Sequence, residues 1–484
     1  MNDRTAADAE PIALLLAGER VAGRGAPLPV LDKHMLAPGA VAATPDRGQV
    51  VAAIDAAHAA FRRGAPPPYE RGEMLDRARV LVEQHAQEFV RTMQMEAGFT
   101  ASDAQGEVRR CLETLRLSAE EARRLAGEVI PLAGAPGQSG RVGFTLRVPL
   151  GVVAAITPFN SPLNTVAHKV APALAAGNAV ILKPASATPL TALRLGELLA
   201  QAGVPKGFVS VLPGSASVVA EALLGDERVR FFAFTGSTEV GRDIQRRAGL
   251  RRTQMELGSI ACTILCDDAD VDAALPKVVG AAYRKAGQVC TSIQLLLVHA
   301  SIVDDVQARL AQAVAKLPFG DPRKPDTVCG PVISEQEAVR IDGWIRDAVA
   351  RGAKLLAGGE RRGAVVPPTL LAGVDATMAV GCQEVFGPVM CIVPFATLDE
   401  AIERVNATPY GLATGIFTNR LDDAFAAARR LEVGGVHVNE TSSSRVDLMP
   451  YGGSKDSGFG REGPRYAVHE MTEERIVTFA LRGG

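Results

Sequence analysis

Residues 151–162 read Gly-Val-Val-Ala-Ala-Ile-Thr-Pro-Phe-Asn-Ser-Pro, an apolar run that passes directly into a proline-containing loop. A short continuous apolar run is typical of a parallel strand that is buried on both faces. The pattern that follows predicts a helix over 163–176 and a second apolar strand over 178–183. Strand, loop, helix and strand in this order favour the α/β class, with a parallel sheet wrapped by helices.

The same alternation extends along most of the chain, in two series that are separated near residue 256. The first series predicts strands over 208–212 and 230–234 and helices over 189–202 and 217–224. The second series predicts helices over 271–286, 302–316, 335–351, 398–406 and 421–431 and strands over 293–299, 389–395, 412–418 and 435–439.

Other regions lie outside these two series. Residues 1–47 indicate short strands and turns, and residues 47–128 carry the apolar spacing of amphipathic helices. Residues 129–148 predict a hairpin, and a last strand over 475–481 is expected to join its small sheet. A hairpin without helix cover leaves an unpaired edge, which predicts contact with a second subunit.

Length and composition narrow the classes of function. A chain of 484 residues predicts two or three domains, and 47% hydrophobic with 22% charged residues is ordinary globular composition. The net charge of −2 argues against a nucleic-acid or acidic-membrane partner. The seven cysteines form no Cys-x-x-Cys pair and are odd in number, which disfavours a disulfide framework and a zinc site. The N-terminus lacks the layout of a signal peptide and no apolar run reaches about 18 residues, so a cytoplasmic location is expected.

Glu256 and Cys290 are the first candidates for chemistry. Glu256 precedes Leu-Gly-Ser and Cys290 follows Gly-Gln-Val, so both lie near small residues that let a ligand approach the backbone. A cysteine attacks a carbonyl as the thiolate, and the thioester that results needs a water activated by a base. A buried apolar cysteine and a solvated glutamate are the alternative interpretations.

Three loops at strand ends are candidates for ligand binding. Gly236-Ser-Thr-Glu-Val-Gly241 follows a strand and opens a helix, where backbone N–H groups and the helix dipole can hold a pyrophosphate. Lys183 at a strand end can reach ribose hydroxyls or a 2′-phosphate, and the Asn160 amide can donate to an oxyanion. Helix capping, an exposed charge and a turn-forming asparagine are the respective alternatives.

Seven motifs, taken in order, resemble those of the NAD(P)-dependent aldehyde dehydrogenase superfamily over nearly the whole chain. They are Thr157-Pro-Phe-Asn-Ser-Pro162, Lys183-Pro-Ala-Ser186, Phe234-Thr-Gly-Ser237, Glu256-Leu-Gly-Ser259, Gly287-Gln-Val-Cys290, Glu384-Val-Phe-Gly-Pro388 and Gly453-Ser-Lys-Asp-Ser-Gly-Phe-Gly-Arg-Glu462. The branch that looks most similar includes lactaldehyde, phosphonoacetaldehyde and non-phosphorylating glyceraldehyde-3-phosphate dehydrogenases.

This resemblance implies the aldehyde dehydrogenase fold with three parts. A Rossmann-like cofactor-binding domain would take residues 1–128 and 149–256, together with a helix over 456–469. An α/β catalytic domain would take residues 257–455. Residues 129–148 and 470–484 would form a small bridging sheet that pairs subunits into a homodimer or a homotetramer.

The resemblance also implies oxidation of a small-molecule aldehyde to its acid with NAD or NADP. Cys290 would form a thiohemiacetal and then a thioester, and the Asn160 amide with the Cys290 backbone N–H would hold the oxyanion. Glu256 would activate the hydrolytic water, and Glu462 would help to move protons. The cofactor would contact Ile156, Thr157, Pro158, Phe159, Lys183, Ser186, Gly214, Phe234, Thr235, Gly236, Ser237, Val240, Gly241, Leu257, Glu384 and Phe386.

Four residues depart from the usual pattern of the superfamily. Ser186 stands where NAD-preferring members carry a glutamate, so NADP is expected to be tolerated or preferred. Phe159 replaces a common tryptophan. Ser259 replaces a glycine beside the nicotinamide and Lys285 replaces an asparagine, so both bear on the positioning of the cofactor.

The sequence leaves alternatives open for both the substrate and the function. Candidates to meet an anionic substrate group are Arg109, Arg116, Arg284 and Arg445, with a surface position as the alternative for each. Leu295 stands where the branch often has arginine, which argues against an anionic substrate. A coenzyme A-acylating dehydrogenase would lack the base at 256, and a non-catalytic structural or binding member would have lost the nucleophile or the base.

Overall fold

The structure, a computed structural model, describes residues 10–481. Up to residue 149 its elements are β1 (Leu14–Leu16), β2 (Glu19–Val21), β3 (Leu28–Asp32), β4 (Ala37–Ala42), α1 (Arg47–Arg63), α2 (Pro68–Gln84), α3 (Ala86–Glu96), α4 (Ala101–Arg124), β5 (Val129–Ile130) and β6 (Arg141–Pro149). The Asp46 side chain starts α1 by accepting the Gln49 N–H, and Thr100 starts α4 by accepting the Asp103 N–H. The short strands and amphipathic helices expected here are present.

The first α/β series forms as expected, apart from two differences. Its elements are β7 (Val152–Ile156), α5 (Asn164–Ala176), β8 (Ala179–Lys183), α6 (Pro189–Gln201), β9 (Val209–Val211), α7 (Glu221–Leu224), β10 (Val229–Thr235), α8 (Thr238–Ala248) and β11 (Arg252–Glu256). The helix expected over 217–224 begins as a π-turn over Ala216–Ala220 before α7. The sequence does not predict β11, because Arg252-Thr-Gln-Met-Glu256 lacks the apolar run of its neighbours.

The second series also alternates. Its elements and those of the C-terminal part are β12 (Ala261–Leu265), α9 (Val271–Tyr283), β13 (Ile293–His299), α10 (Val303–Ala315), α11 (Glu335–Ala350), β14 (Lys354–Ala357), β15 (Thr369–Ala372), α12 (Ala379–Cys382), β16 (Val389–Phe395), α13 (Leu398–Asn406), β17 (Tyr410–Gly411), β18 (Ala413–Phe417), α14 (Leu421–Arg430), β19 (Gly435–Val438), β20 (Ser454–Lys455), β21 (Gly458–Phe459), α15 (Pro464–Glu470) and β22 (Thr472–Ala480). The sequence misses β12, β14 and β15. α9 ends at Tyr283 instead of residue 286, because Lys285, Ala286 and Gly287 all have positive φ.

The helix predicted over 456–469 is wrong in its first half. The structure has β20 and β21 in this region, and α15 begins only at Pro464. Gly458, Gly460 and Gly463 have φ of 100°, 82° and 99°, a conformation that a right-handed helix excludes. The glycines therefore form turns that bring β21 against the edge of a sheet.

Two large sheets organise the molecule and confirm the predicted α/β class. The eight-stranded sheet has the order β2-β1-β9-β8-β7-β10-β11-β21, and its strands from β9 to β11 run parallel. The seven-stranded sheet has the order β14-β15-β16-β13-β12-β18-β19 and is parallel except for the β14–β15 pair. Helices cover both sheets; α4, for example, packs on α2 and α5.

A third, small sheet has the order β22-β6-β5. β22 pairs antiparallel with β6 from Thr472 opposite Pro149 to Ala480 opposite Arg141, so the last strand joins the hairpin as expected. Within residues 10–481 every helix is too short or too polar to cross a bilayer.

Candidate active site

Adjacent strands of the first sheet end at residues that the sequence analysis singled out. β8 ends at Lys183, β10 at Thr235 and β11 at Glu256, and the loop with Asn160 follows β7. Because these strands are neighbours and run parallel, their carboxyl ends meet at one edge of the sheet.

The second sheet supplies residues that come just before its strands. Cys290 precedes β13, and Glu384 and Phe386 precede β16. The Asn160 side-chain amide donates to the Gln288 carbonyl at 2.8 Å, and the Ser259 N–H donates to the Glu384 carboxylate at 2.8 Å. These bonds join the loops of the two sheets around one site.

A large cleft of about 860 Å³ opens between these loops. Most of the predicted cofactor residues line it, namely Ile156, Thr157, Pro158, Phe159, Lys183, Phe234, Thr235, Gly236, Ser237, Val240, Leu257, Glu384 and Phe386. Ser186, Gly214 and Gly241 are not among the lining residues. The Ser186 hydroxyl donates to the Gly214 carbonyl at 3.1 Å, and Gly241 packs so closely under Leu257 that a Cβ would lie 2.3 Å from its side chain.

The cleft fits a dinucleotide. Its volume is that of a ligand site, and the buried hydroxyls of Thr157 and Thr235 find no hydrogen-bond partner anywhere in residues 10–481. Ser237 caps α8, whose N-terminus can hold an anion. Burial raises the pKa of the Glu384 carboxyl to about 7. The rings of Phe159 and Phe386, which also line the cleft, pack edge to face with their centroids 5.7 Å apart.

A smaller cavity of about 150 Å³ adjoins the cleft. Its lining includes Glu256, Arg284, Arg445, Tyr451 and Glu462. Asn160, Thr235, Leu257 and Cys290 line both the cavity and the cleft. The thiol, the amide and the two carboxylates that the sequence nominated are therefore brought together, with the thiol where the two spaces join.

The Cys290 sulfur lies 3.0 Å from the Tyr451 hydroxyl oxygen. Burial raises the pKa of the Cys290 thiol to about 11, against the opposing effects of the Tyr451 hydroxyl and the Arg445 charge. In these surroundings the thiol is a weaker acid than an ordinary cysteine, although Tyr451 and Arg445 favour its ionisation.

The two carboxylates of the cavity have opposite environments. Both Glu256 oxygens are buried without a hydrogen-bond partner in the described chain, and burial with the nearby charge of Glu462 raises the Glu256 pKa well above its usual range. Glu462 accepts from Lys169 at 3.0 Å and from Arg445 at 2.7 Å. Although burial opposes them, these two cations hold the pKa of Glu462 far below its usual range. Of the two carboxyls, Glu256 is therefore the one that holds a proton more readily.

Lys285 lies beneath the Asn160 loop. Its ammonium donates to Glu107 at 2.7 Å and to the Asn160 carbonyl at 3.0 Å. The Ser161 hydroxyl donates to the same Glu107 carboxylate at 2.8 Å. This departure from the family pattern is a buried ion pair that ties the loop to α4.

The arginine candidates separate into two groups. Arg284 and Arg445 line the cavity, whereas Arg109 is exposed and Arg116 pairs with Glu113 on the surface of α4. Leu295 is partly buried, packs against the core and is not among the residues that line the cavity.

Sequence reasoning missed Arg110, Lys169 and Tyr451. Arg110 lines the cavity and donates to Asp447 at 2.6 Å, and Lys169 is fully buried against Glu462. α5 is mostly apolar but contains an asparagine and Lys169. A lysine in such a stretch indicates a buried charge with a partner, and this pattern could have identified Lys169. Tyr451 offered no such signal, because its partner lies 161 residues away.

Known proteins of one family match this chain over nearly its whole length. The profile of the aldehyde dehydrogenase family matches residues 25–477. A 3-sulfolactaldehyde dehydrogenase of Priestia aryabhattai is 46% identical over 452 residues, which are 93% of this chain and 94% of that one. The crystal structure of aldehyde dehydrogenase 21 from Physcomitrella patens in complex with the reaction product succinate superposes with a TM-score of 0.95 at 40% identity, covering 98% of this chain and 100% of that one. The NADP complex of an NADP-dependent glyceraldehyde-3-phosphate dehydrogenase from Bacillus halodurans gives a TM-score of 0.95 at 34% identity, with coverage of 98% and 100%.

Proposed function

This chain belongs to the aldehyde dehydrogenase family, and on that premise we propose that it oxidises an acidic aldehyde to the carboxylic acid through a covalent intermediate on Cys290. One observation carries the proposal. Cys290 and Asn160 line both the dinucleotide-sized cleft and the small cavity that also holds Glu256. A carbonyl carbon bonded to the sulfur would therefore have a nicotinamide site on one side and a base on the other.

The residues act in two stages. In the first, the Cys290 thiolate bonds to the carbonyl carbon, and the oxygen takes the negative charge. The Asn160 amide has a second N–H besides the one that donates to Gln288, and this N–H with the Cys290 backbone N–H stabilises the oxyanion. The carbon then loses a hydride, for which bound NAD or NADP would supply the acceptor, and the C=O bond re-forms to give the thioester. In the second stage Glu256 takes a proton from water, which attacks the thioester carbon and breaks the carbon–sulfur bond.

The cofactor preference follows from the rim of the cleft. Ser186 is neutral and is already bonded to the Gly214 carbonyl, next to the lining residue Ala185. Without a carboxylate at position 186, a 2′-phosphate meets no repulsion there. The enzyme therefore uses NADP at least as well as NAD.

The substrate class follows from the charges of the cavity. Three cations of the cavity form ion pairs with carboxylates within 3.0 Å, namely Arg110, Lys285 and Arg445. Arg284 has none within 4.0 Å among the described residues and donates only to the Ser443 hydroxyl, at 3.0 Å. A partly buried cation without a counterion binds an anionic group of the substrate.

The names of the relatives agree with this assignment. The Priestia enzyme is named for 3-sulfolactaldehyde, and the Physcomitrella enzyme was crystallised with succinate as its product. Both compounds carry an acidic group. The cavity of about 150 Å³ also limits the aldehyde to a small molecule.

An aldehyde panel run with NAD and with NADP tests the proposal. A short aldehyde with a sulfonate or carboxylate should exceed an uncharged aldehyde of the same length by about tenfold or more in kcat/KM, because a hydrogen bond to a charged group contributes about 1.5–3 kcal/mol. Preference for the uncharged aldehyde would contradict the substrate class. Full activity of Cys290→Ala would contradict the mechanism, and an acyl-coenzyme A product would replace hydrolysis by acyl transfer.

A further inference from the structure

Tyr451 is a residue of the small cavity that the reaction described above does not use. Its hydroxyl oxygen lies 3.0 Å from the Cys290 sulfur, and its side chain is 8% exposed. The Tyr451 N–H donates to the Glu462 carbonyl at 3.1 Å, and the Tyr451 carbonyl accepts the Glu462 N–H at 2.6 Å. This paired backbone holds the hydroxyl at the sulfur.

Arg445 packs against the face of the Tyr451 ring. Its guanidinium carbon lies 3.7 Å from the ring centroid, and the guanidinium donates to Glu462 at 2.7 Å. A cation over the ring attracts its electron density, so the phenol becomes a stronger hydrogen-bond donor.

The Cys290 sulfur has no histidine to activate it among the described residues that line the cavity. The nearby cations Arg110, Lys285 and Arg445 are each engaged with a carboxylate, and the Arg284 guanidinium donates to the Ser443 hydroxyl at 3.0 Å. Burial raises the pKa of the Tyr451 phenol well above its usual range, which favours the protonated hydroxyl. A protonated phenol beside a thiolate can only donate.

We propose that Tyr451 is a further catalytic residue, whose hydroxyl donates a hydrogen bond to the Cys290 thiolate and stabilises it for attack on the aldehyde. The thiol proton leaves to water or to the Glu256 carboxylate, and the phenol keeps its own proton. When the sulfur bonds to the carbonyl carbon, the negative charge passes to the carbonyl oxygen and the hydrogen bond weakens. This inference rests on the proposed role of Cys290.

Tyr451→Phe tests the inference, because it removes the hydroxyl and keeps the ring under Arg445. The rate of alkylation of Cys290 by iodoacetamide is measured against pH in the full-length chain, by mass spectrometry of the Cys290 peptide, with the exposed Cys382 replaced by Ser. The midpoint of the profile should move up by about one pH unit, and alkylation below the midpoint should slow about tenfold. The value of kcat/KM should fall by a similar factor.

Tyr283→Phe is the matched control. It removes a buried hydroxyl that donates to the Thr369 carbonyl at 3.0 Å and does not line the cavity. A loss of stability with an unchanged alkylation profile is expected. Fluorotyrosine at position 451 gives an independent test, because its more acidic phenol should move the midpoint to lower pH.

The outcomes separate this inference from the proposed function. Retained activity in Cys290→Ala would overturn the role of the sulfur itself. An inactive Cys290→Ala with an unshifted profile in Tyr451→Phe would overturn only the role of Tyr451. Faster alkylation in Tyr451→Phe would also overturn it, because the hydroxyl would then be holding the thiol in its protonated form.

Discussion

At the scale of single residues, charge without a partner marks the functional groups of this site. Most charged side chains that line the cavity are paired, as in Arg445 with Glu462 and Lys285 with Glu107. Glu256 and Arg284 lack such a partner within the described chain. Burying an unpaired ionisable group is unfavourable for folding, so the lack of a partner supports the roles that we propose for these two residues.

Glu256→Gln should stop the enzyme at the thioester. The amide cannot take a proton from water, so about one reduced cofactor per active site should form rapidly and turnover should fall by about 10²- to 10⁴-fold. Stopped-flow absorbance of the reduced nicotinamide measures both. Glu360→Gln, on the exposed surface, is the control and should keep the parent rate. If the rapid formation of reduced cofactor and the steady-state turnover fell by the same factor, the result would contradict the assignment.

The activity should also depend on pH through Glu256. Burial and the charge of Glu462 raise the Glu256 pKa, so the carboxyl is protonated at low pH and becomes a base only as pH rises through that raised pKa. Turnover under saturating substrate should therefore increase as pH rises through the raised pKa of Glu256. The residual turnover of Glu256→Gln should lack this rise, and a rise that persisted there would assign it to another group.

Arg284→Met should change the choice of substrate. Loss of the charged hydrogen bond lowers kcat/KM for an acidic aldehyde by about 10- to 100-fold and leaves an uncharged aldehyde of equal length nearly unaffected. Steady-state kinetics with both aldehydes measure the ratio. Arg109→Met is the matched control, because that arginine is exposed and outside the cavity. Equal losses for both aldehydes would mean that Arg284 has only a structural role.

Ser186→Glu should move the cofactor preference toward NAD. The new carboxylate repels a 2′-phosphate and can accept from ribose hydroxyls, so the ratio of kcat/KM for NADP to that for NAD should fall at least about tenfold. Ser186→Ala, which introduces no charge, should keep the parent ratio. An unchanged ratio in Ser186→Glu would place the adenosine ribose away from this residue.

At the scale of elements, the turn before Cys290 has a strained backbone that hydrogen bonds to a neighbouring helix stabilise. Lys285, Ala286 and Gly287 have φ of 51°, 52° and 69°, which is unfavourable for the first two. The Lys285 N–H donates to Asp103 at 3.2 Å and its ammonium to Glu107, so α4 supports the turn. The Lys285 ammonium also donates to the Asn160 carbonyl at 3.0 Å, which couples the positions of the Cys290 turn and the Asn160 loop.

Gly287→Ala should disrupt this turn. A Cβ at Gly287 would lie 2.0 Å from the Gly387 carbonyl oxygen, and backbone on both sides must shift. We expect a loss of about 1–3 kcal/mol in stability and a larger proportional loss of activity, because the shift moves Cys290. Urea unfolding and kinetics measure the two effects. Gly280→Ala, in α9 with open space around it, is the control and should be neutral or stabilising.

At the scale of the whole molecule, the small sheet β22-β6-β5 presents an apolar face. Val142, Leu146 and Phe479 are 45%, 44% and 50% exposed, and pairing of Phe479 opposite Val142 puts these side chains on one face. We propose that this face joins subunits, since exposed contiguous apolar surface is typical of an interface.

Phe479→Asp should therefore convert an assembly of subunits into monomers. A charge in an apolar contact loses its hydration without gaining a partner. Light scattering after size-exclusion chromatography measures the mass. Thr478→Asp, which changes the neighbouring residue on the opposite face of β22, should leave the assembly intact. A parent protein that is monomeric at high concentration would contradict the proposal.

The sequence by itself determined the α/β class, most helices and strands, and most of the residues that surround the site. Buried parallel strands and amphipathic helices follow from local apolar spacing, and the motifs at strand ends are local as well. Local spacing failed at β11, a polar strand that pairs with β10 and β21. It also failed at the helix expected over 456–469, where glycines with positive φ form turns.

Only the tertiary structure decided which charges are paired and which are free. Arg109 and Arg284 are equivalent in the sequence, yet one is exposed and the other lines the cavity. Tyr451 meets Cys290 across 161 residues, and Lys285 meets Glu107 across 178. Such contacts depend on how the two sheets pack against each other. A local sequence pattern cannot predict them, because the packing of the whole chain determines which residues meet.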